Sequence, residues 1–179
     1  MAQFEKIIGT LKTIDYSELL NKRLEKQTNS DKSKVITEMQ QLVISALNRN
    51  LDHISWDQEV KSEDKQKDRI DILGLVKGND CSLNVIIEID NHRADQVSKK
   101  FVSRLAAKIN DPLVYVALCY QGSKKKTGFN ECIKYFCYID RILKQFSTDK
   151  IPRHFIGIIV TKEGKKVKLD IYPEELRMF

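Results

Sequence analysis

Three acidic side chains fall inside strand-forming sequence. Asp71 lies in Arg69-Ile70-Asp71-Ile72, and Glu88 and Asp90 lie in Ile87-Glu88-Ile89-Asp90. Side chains alternate across a strand, so Glu88 and Asp90 share a face. Between the two runs, Gly78-Asn79-Asp80 reads as a hairpin turn, which sets Asp71 close to opposite Glu88. Carboxylates placed together repel, and their protonated forms are favoured unless a cation sits between them. A hard divalent ion with oxygen ligands resolves this, and Mg²⁺ keeps several of its waters while bound; Mn²⁺ would take the same oxygens. Such a centre can polarise a phosphodiester and activate water for attack. Asp71, Glu88 and Asp90 are therefore candidate metal ligands and catalytic groups. The alternative is three ordinary acids at strand ends, flanked by solvent.

The elements that must position them follow from periodicity. Residues 3–12 and 16–26 read as an interrupted helical arm (1–30), and 29–33 as a polar link. Apolar positions from Val35 to Leu47 recur at helical spacing over 34–48. Alternation then changes to period two over 54–60, and strands are expected there, at 69–76 and at 83–90, joined as an antiparallel meander. A helix over 95–108 carries the stripe Val97, Phe101, Val102, Leu105 and Ala106. The nearly continuous apolar run at 113–119 reads as a central strand covered on both faces. A second helix over 130–146, a buried strand over 151–160 and an edge strand within 164–172 complete a single domain whose core is 34–160. Strand–helix–strand crossovers add parallel partners to the meander, giving an α/β mixed sheet with helices on both faces.

With those elements in place the chain resembles the PD-(D/E)XK nuclease superfamily, the fold of many restriction endonucleases and DNA-repair nucleases. That family shows a helix, a three-strand meander, a helix and a strand, with an Asp on the second strand and Glu/Asp-x-Lys on the third. Asp71 matches the first acid and Glu88-Ile89-Asp90 the tripeptide, over roughly 34–160. Two departures stand out: Ile70 where proline is frequent, and Asp90 where lysine is usual. The resemblance implies a restriction-endonuclease-like core and a divalent-metal-dependent endonuclease hydrolysing DNA phosphodiester bonds. It also implies Mg²⁺ or Mn²⁺ at Asp71, Glu88 and Asp90, a DNA partner ahead of RNA, and a homodimer, as restriction-like cutters often work in pairs. The alternative on the same fold is a catalytically inactive protein that binds nucleic acid or serves in an assembly.

The missing lysine has three readings. Asp90 serves as a further ligand or orients water; or a lysine reaches in from the next helix, where Lys99 and Lys100 stand; or the site has decayed. Lys99 takes the catalytic place in this scheme and Lys100 an outward phosphate contact. The family also tends to carry an acid on its first core helix, for which Glu38 is the candidate, with Glu59 a weaker substitute and a solvated glutamate the plain alternative. After the acids, Arg93 could meet a phosphate, and His92 has the intrinsic pKa for proton transfer.

Basic residues gather after the acids. Arg93, Lys100, Arg104 and the run Lys124-Lys125-Lys126 are candidate nucleic-acid contacts, a solvated lysine loop being the alternative for the last three. No helix-turn-helix, zinc finger, RNA-binding aromatic pair or GXXG loop is visible, so no base readout is expected. P-loop, Rossmann, kinase and serine-hydrolase motifs are absent. The chain has 179 residues, 31% charged and 41% hydrophobic, with formal charge +6, which suits one globular domain meeting a polyanion. No run of sequence is apolar enough for a membrane span, and the first residues lack a signal peptide's basic and apolar regions. A cytoplasmic protein with reduced, mostly buried cysteines and no membrane partner is expected. The arm is the expected partner or dimer surface.

Overall fold

The computed structural model describes residues 2–24, 29–61, 69–77, 82–91, 93–122 and 129–174. Lys124, Lys125, Lys126, His92 and the expected hairpin turn at Gly78-Asn79-Asp80 lie outside them. The chain runs α1 (Ala2–Lys12), α2 (Ser17–Leu24), α3 (Asn29–Asn50), β1 (Ser55–Lys61), β2 (Arg69–Lys77), β3 (Ser82–Asp90), α4 (Ala94–Ala107), β4 (Leu113–Tyr120), α5 (Phe129–Phe146), β5 (Arg153–Glu163) and β6 (Lys166–Tyr172). This is the expected order. The polar stretch at 29–33 is not a link but the first turns of α3.

One six-stranded mixed sheet holds the strands in sequence order, β1 to β6. β1, β2 and β3 pair antiparallel, β3, β4 and β5 pair parallel, and β6 returns antiparallel on β5. The return turns on Gly164, whose φ of 61° needs no Cβ to be accommodated. The parallel pairs require crossovers, and α4 and α5 supply them. β4 is buried along its whole length, as its unbroken apolar run requires.

Two cores flank the sheet. On one face α1, α2 and α3 bury Ile7, Leu11, Leu20, Met39 and Val43 against Ile72, Ile87 and Val116. On the other, α4 and α5 bury Val97, Phe101, Phe136 and Leu143 against Ile86, Tyr115 and Phe155. The N-terminal arm is therefore a wall of the first core. Its apolar stripe is already covered, and transferring that surface back to water would cost about 25 cal/mol per Å². Among the described residues no helix is long and apolar enough to cross a membrane.

The sheet is regular at its centre and irregular near Asp71. β2 pairs with β3 from Lys77↔Ser82 to Ile72↔Ile87. Beyond that rung the Asp71 carboxylate, not a backbone carbonyl, accepts the Ile89 N–H at 2.8 Å. On the other side of β2, between the pairs Gln58↔Ile72 and Val60↔Ile70, Glu59 takes a φ of 54°. That is the left-handed region, costly for a residue with a Cβ and often kept where geometry is used.

Candidate active site at the end of the third strand

Asp71 and Glu88 converge where β2 and β3 part, as the hairpin register implies. What joins them is a lysine from the following helix. Lys100 Nζ lies 3.2 Å from Asp71 Oδ2 and 2.7 Å from Glu88 Oε2, donating to both. One helical turn on, Arg104 Nε donates to Glu88 Oε1 at 2.8 Å, and its Nη2 to the Arg69 carbonyl at 2.8 Å. The spacing explains the pair: residues four apart share one side of a helix. Val97, Phe101 and Leu105 pin α4 to the sheet, so the basic side beside that stripe faces the acids.

From the opposite face, Gln40 of α3 completes the surroundings of Asp71. Its Nε2 donates to Asp71 Oδ1 at 3.2 Å and to Glu59 Oε1 at 2.7 Å, while its Oε1 accepts from Gln58 Nε2 at 2.8 Å. The Gln58 contact fixes which way the amide points. The unusual backbone at Glu59 brings a carboxylate onto that same amide. Asp71 thus bridges both layers of helices through the gap in the sheet.

Glu88 is fully buried, and a buried carboxylate demands partners. Burial first, and the Asp71 charge second, push it up to about 7, against the charges of Lys100 and Arg104. Burial pulls Lys100 down, but the charges of Glu88 and Asp71 and their hydrogen bonds outweigh it, so the ammonium stands above its ordinary value. Burial raises Asp90, opposed by the Asn91 N–H and by the charges of Lys100 and Arg93.

Several expected roles move. Lys99, expected in the catalytic place, is 72% exposed and pairs with Asp95 at 3.9 Å. Lys100, expected to face a phosphate, is the lysine that reaches Asp71 and Glu88, because one residue turns the helix by about 100°. Arg104, also expected at a phosphate, is 1% exposed and clamped on Glu88. Glu38 pairs with Lys22 at 3.1 Å, and the α3 side chain that reaches Asp71 is Gln40, two positions on. Arg93 remains exposed at the start of α4, 3.4 Å from Asp95. Gln40 and Gln58 carry no charge and gave no signal. The pair Lys100 and Arg104, flanking an apolar stripe at helical spacing, was the available one.

Among the described residues no three His, Cys, Asp or Glu side chains stand together as a metal site. The expected trio of Asp71, Glu88 and Asp90 is therefore not gathered as one such group, and Lys100 supplies positive charge between Asp71 and Glu88. The oxygen pair that remains still fits the chemistry of Mg²⁺, which is commonly held by one or two carboxylates with water and substrate phosphate completing its octahedron. All four oxygens of Asp71 and Glu88 already accept hydrogen bonds, so an ion would share them with Lys100, Arg104, Gln40 and the Ile89 N–H.

No protein-family model matches the chain, and no curated protein matches it. Among solved structures, it is similar to SfsA of Pyrococcus furiosus in complex with Ca²⁺, with 10% sequence identity and a TM-score of 0.40. The alignment covers 76% of this chain and 62% of that one, less than two thirds of its length.

Proposed function

We propose that the protein is a divalent-metal-dependent endonuclease that hydrolyses DNA phosphodiester bonds at Asp71, Glu88 and Lys100. The supporting observation is the double contact of Lys100 with both carboxylates. The tripeptide Glu88-Ile89-Asp90 lacks the lysine usual in the family it resembles, and α4 returns one to the same two acids. Asp71 and Glu88 are the oxygen ligands for Mg²⁺ or Mn²⁺, which when bound would polarise the phosphodiester and lower the pKa of an attacking water. Lys100 contributes a fixed positive charge where negative charge develops on the phosphorus-bound oxygens. Arg104 holds Glu88 in place, and Gln40 holds Asp71. Asp90 sits beside the pair as a carboxylate able to orient water. Arg93 and Lys99, exposed on the first turns of α4, meet the phosphates of the bound strand. DNA is placed ahead of RNA on the resemblance alone, and the cytoplasm is the default expected from the sequence's lack of signal-peptide features.

A second reading is favoured by one observation: Lys100 and Arg104 already neutralise Asp71 and Glu88 without a metal. On that reading the protein binds nucleic acid and cuts nothing. Incubation with supercoiled plasmid, linear duplex and single-stranded DNA in Mg²⁺ or Mn²⁺, beside Glu88→Ala, separates the two. Nicking lost in the variant and in EDTA supports the nuclease. Retention of DNA with no nicking at any metal concentration supports the binding protein.

A further inference from the structure

Arg23, on α2, is a buried cation that the Asp71–Glu88 arrangement does not use. It is 7% exposed, yet among the described residues it has no carboxylate partner. A buried guanidinium without an acid is costly, so its placement needs a reason. Its partner is Asn91, the residue after Asp90. In the amide orientation that satisfies both neighbours, Asn91 Oδ1 accepts from Arg23 Nη2 at 2.8 Å and Asn91 Nδ2 donates to Asp90 Oδ1 at 2.9 Å. Arg23 therefore reaches Asp90 through one side chain.

A second observation places the guanidinium: Arg23 Nε and the Tyr120 hydroxyl are both buried, and the two side chains are neighbours. Burial pushes the Tyr120 hydroxyl up to about 12, and the neighbouring Arg23 charge pulls the other way. The hydroxyl is therefore a neutral group beside the guanidinium. Tyr120 ends β4, whose Cys119 is in register with Asp90 of β3. So Arg23 crosses from the N-terminal helices onto the ends of β3 and β4. Nearby, Lys162 Nζ of β5 donates to Asn21 Oδ1, a second polar bond docking the same helix.

We infer that Arg23 is a positioning residue of the site: through Asn91 it fixes the Asp90 carboxylate, so the N-terminal helices complete the catalytic end of the sheet. The inference rests on the nuclease reading for its effect on rate, but not for the relay itself. Removing Arg23 frees Asn91 to rotate and leaves Asp90 with one fewer fixed donor, while strand-binding groups on α4 are untouched.

The test is a double-mutant cycle with Arg23→Met and Asp90→Asn, read in two ways. In DNA cleavage, Arg23→Met should lower kcat about tenfold with KM unmoved, and should have no further effect in the Asp90→Asn background. In thermal unfolding, Arg23→Met should leave the midpoint unchanged or raise it, since a buried charge is replaced by an apolar chain. The two substitutions should also be non-additive there. Arg23→Lys, which keeps the charge but loses the fork, should fall between wild type and Met in rate. Asn21→Ala, which cuts only the neighbouring polar bond, should keep the wild-type rate. Additive effects in both readouts, or a rate loss that tracks a falling midpoint, would overturn the inference. If the wild-type protein cuts no DNA, the nuclease reading fails. The unfolding cycle then still decides the relay, non-additivity supporting it and additivity overturning it.

Discussion

α4 and α5 cover the same face of the same sheet and make the same kind of crossover, yet they bury opposite chemistry. α5 presents Cys132, Phe136, Ile139 and Leu143 to the strands and keeps Lys134, Arg141 and Lys144 outside. α4 presents Val97, Phe101 and Leu105, but it also sends Lys100 and Arg104 inward to Glu88. Strand packing asks only for what α5 supplies. A buried arginine and a partly buried lysine add desolvation costs that an apolar helix would avoid. Both pair with Glu88 beneath them. α5 packs on the strands through apolar side chains, and α4 through apolar side chains and ion pairs.

Two substitutions on these helices should cost the most stability, for different reasons. Arg104→Ala leaves Glu88 buried and short of a partner, and should destabilise by about 3–5 kcal/mol. Phe136→Ala empties the space above Gly157, where the ring lies so close that a Cβ would sit 2.3 Å from it. Its cost should be about 3–5 kcal/mol as well. Urea unfolding measures both. The contrast lies in rescue: Glu88→Leu with Arg104→Met should recover most of the loss on α4, because the charge is removed with its partner. If the pair proves as unstable as Arg104→Ala alone, the buried-charge account of α4 is wrong.

Lys100→Met comes next. Its stability effect should be small, since Glu88 keeps Arg104 and Asp71 keeps Gln40 and the Ile89 N–H. Cleavage should fall by about 10²–10³, the usual scale for removing one preorganised electrostatic stabiliser. A matching substitution on α5, Lys144→Met, removes the contact of an exposed ammonium with the buried Asp140 at 2.7 Å, far from the acids of β2 and β3, and should leave cleavage unchanged.

The smallest effect is expected at Lys99. Lys99→Ala should change stability by less than about 0.5 kcal/mol. It should weaken DNA binding and reduce the salt slope by about one. Binding isotherms at several salt concentrations would show it. An unchanged slope would remove Lys99 from the phosphate contacts.

The sequence made the element order legible because apolar spacing differs between helix and strand, and this chain keeps both periods clean. It also placed Asp71 against Glu88, since a hairpin register follows from its turn. Choosing between Lys99 and Lys100 was beyond it. Both flank the Val97–Phe101–Leu105 stripe, and which one faces inward depends on how α4 is rotated against the sheet. Arg104 read as a surface base for the same reason. Gln40 and Gln58 were invisible because a neutral amide carries no pattern until the backbone around it is known. The arm's burial was hidden too, because an amphipathic helix looks the same whether its cover is its own sheet or another chain.

The central claim is that α4 restores, through Lys100, the lysine that Glu88-Ile89-Asp90 lacks. Plasmid nicking in Mg²⁺ by wild type, Lys100→Met and Lys99→Met, measured side by side on folded protein, tests it most directly. The account predicts metal-dependent nicking by wild type and by Lys99→Met, and its loss in Lys100→Met. Nicking retained by Lys100→Met, or absent from wild type, would contradict it.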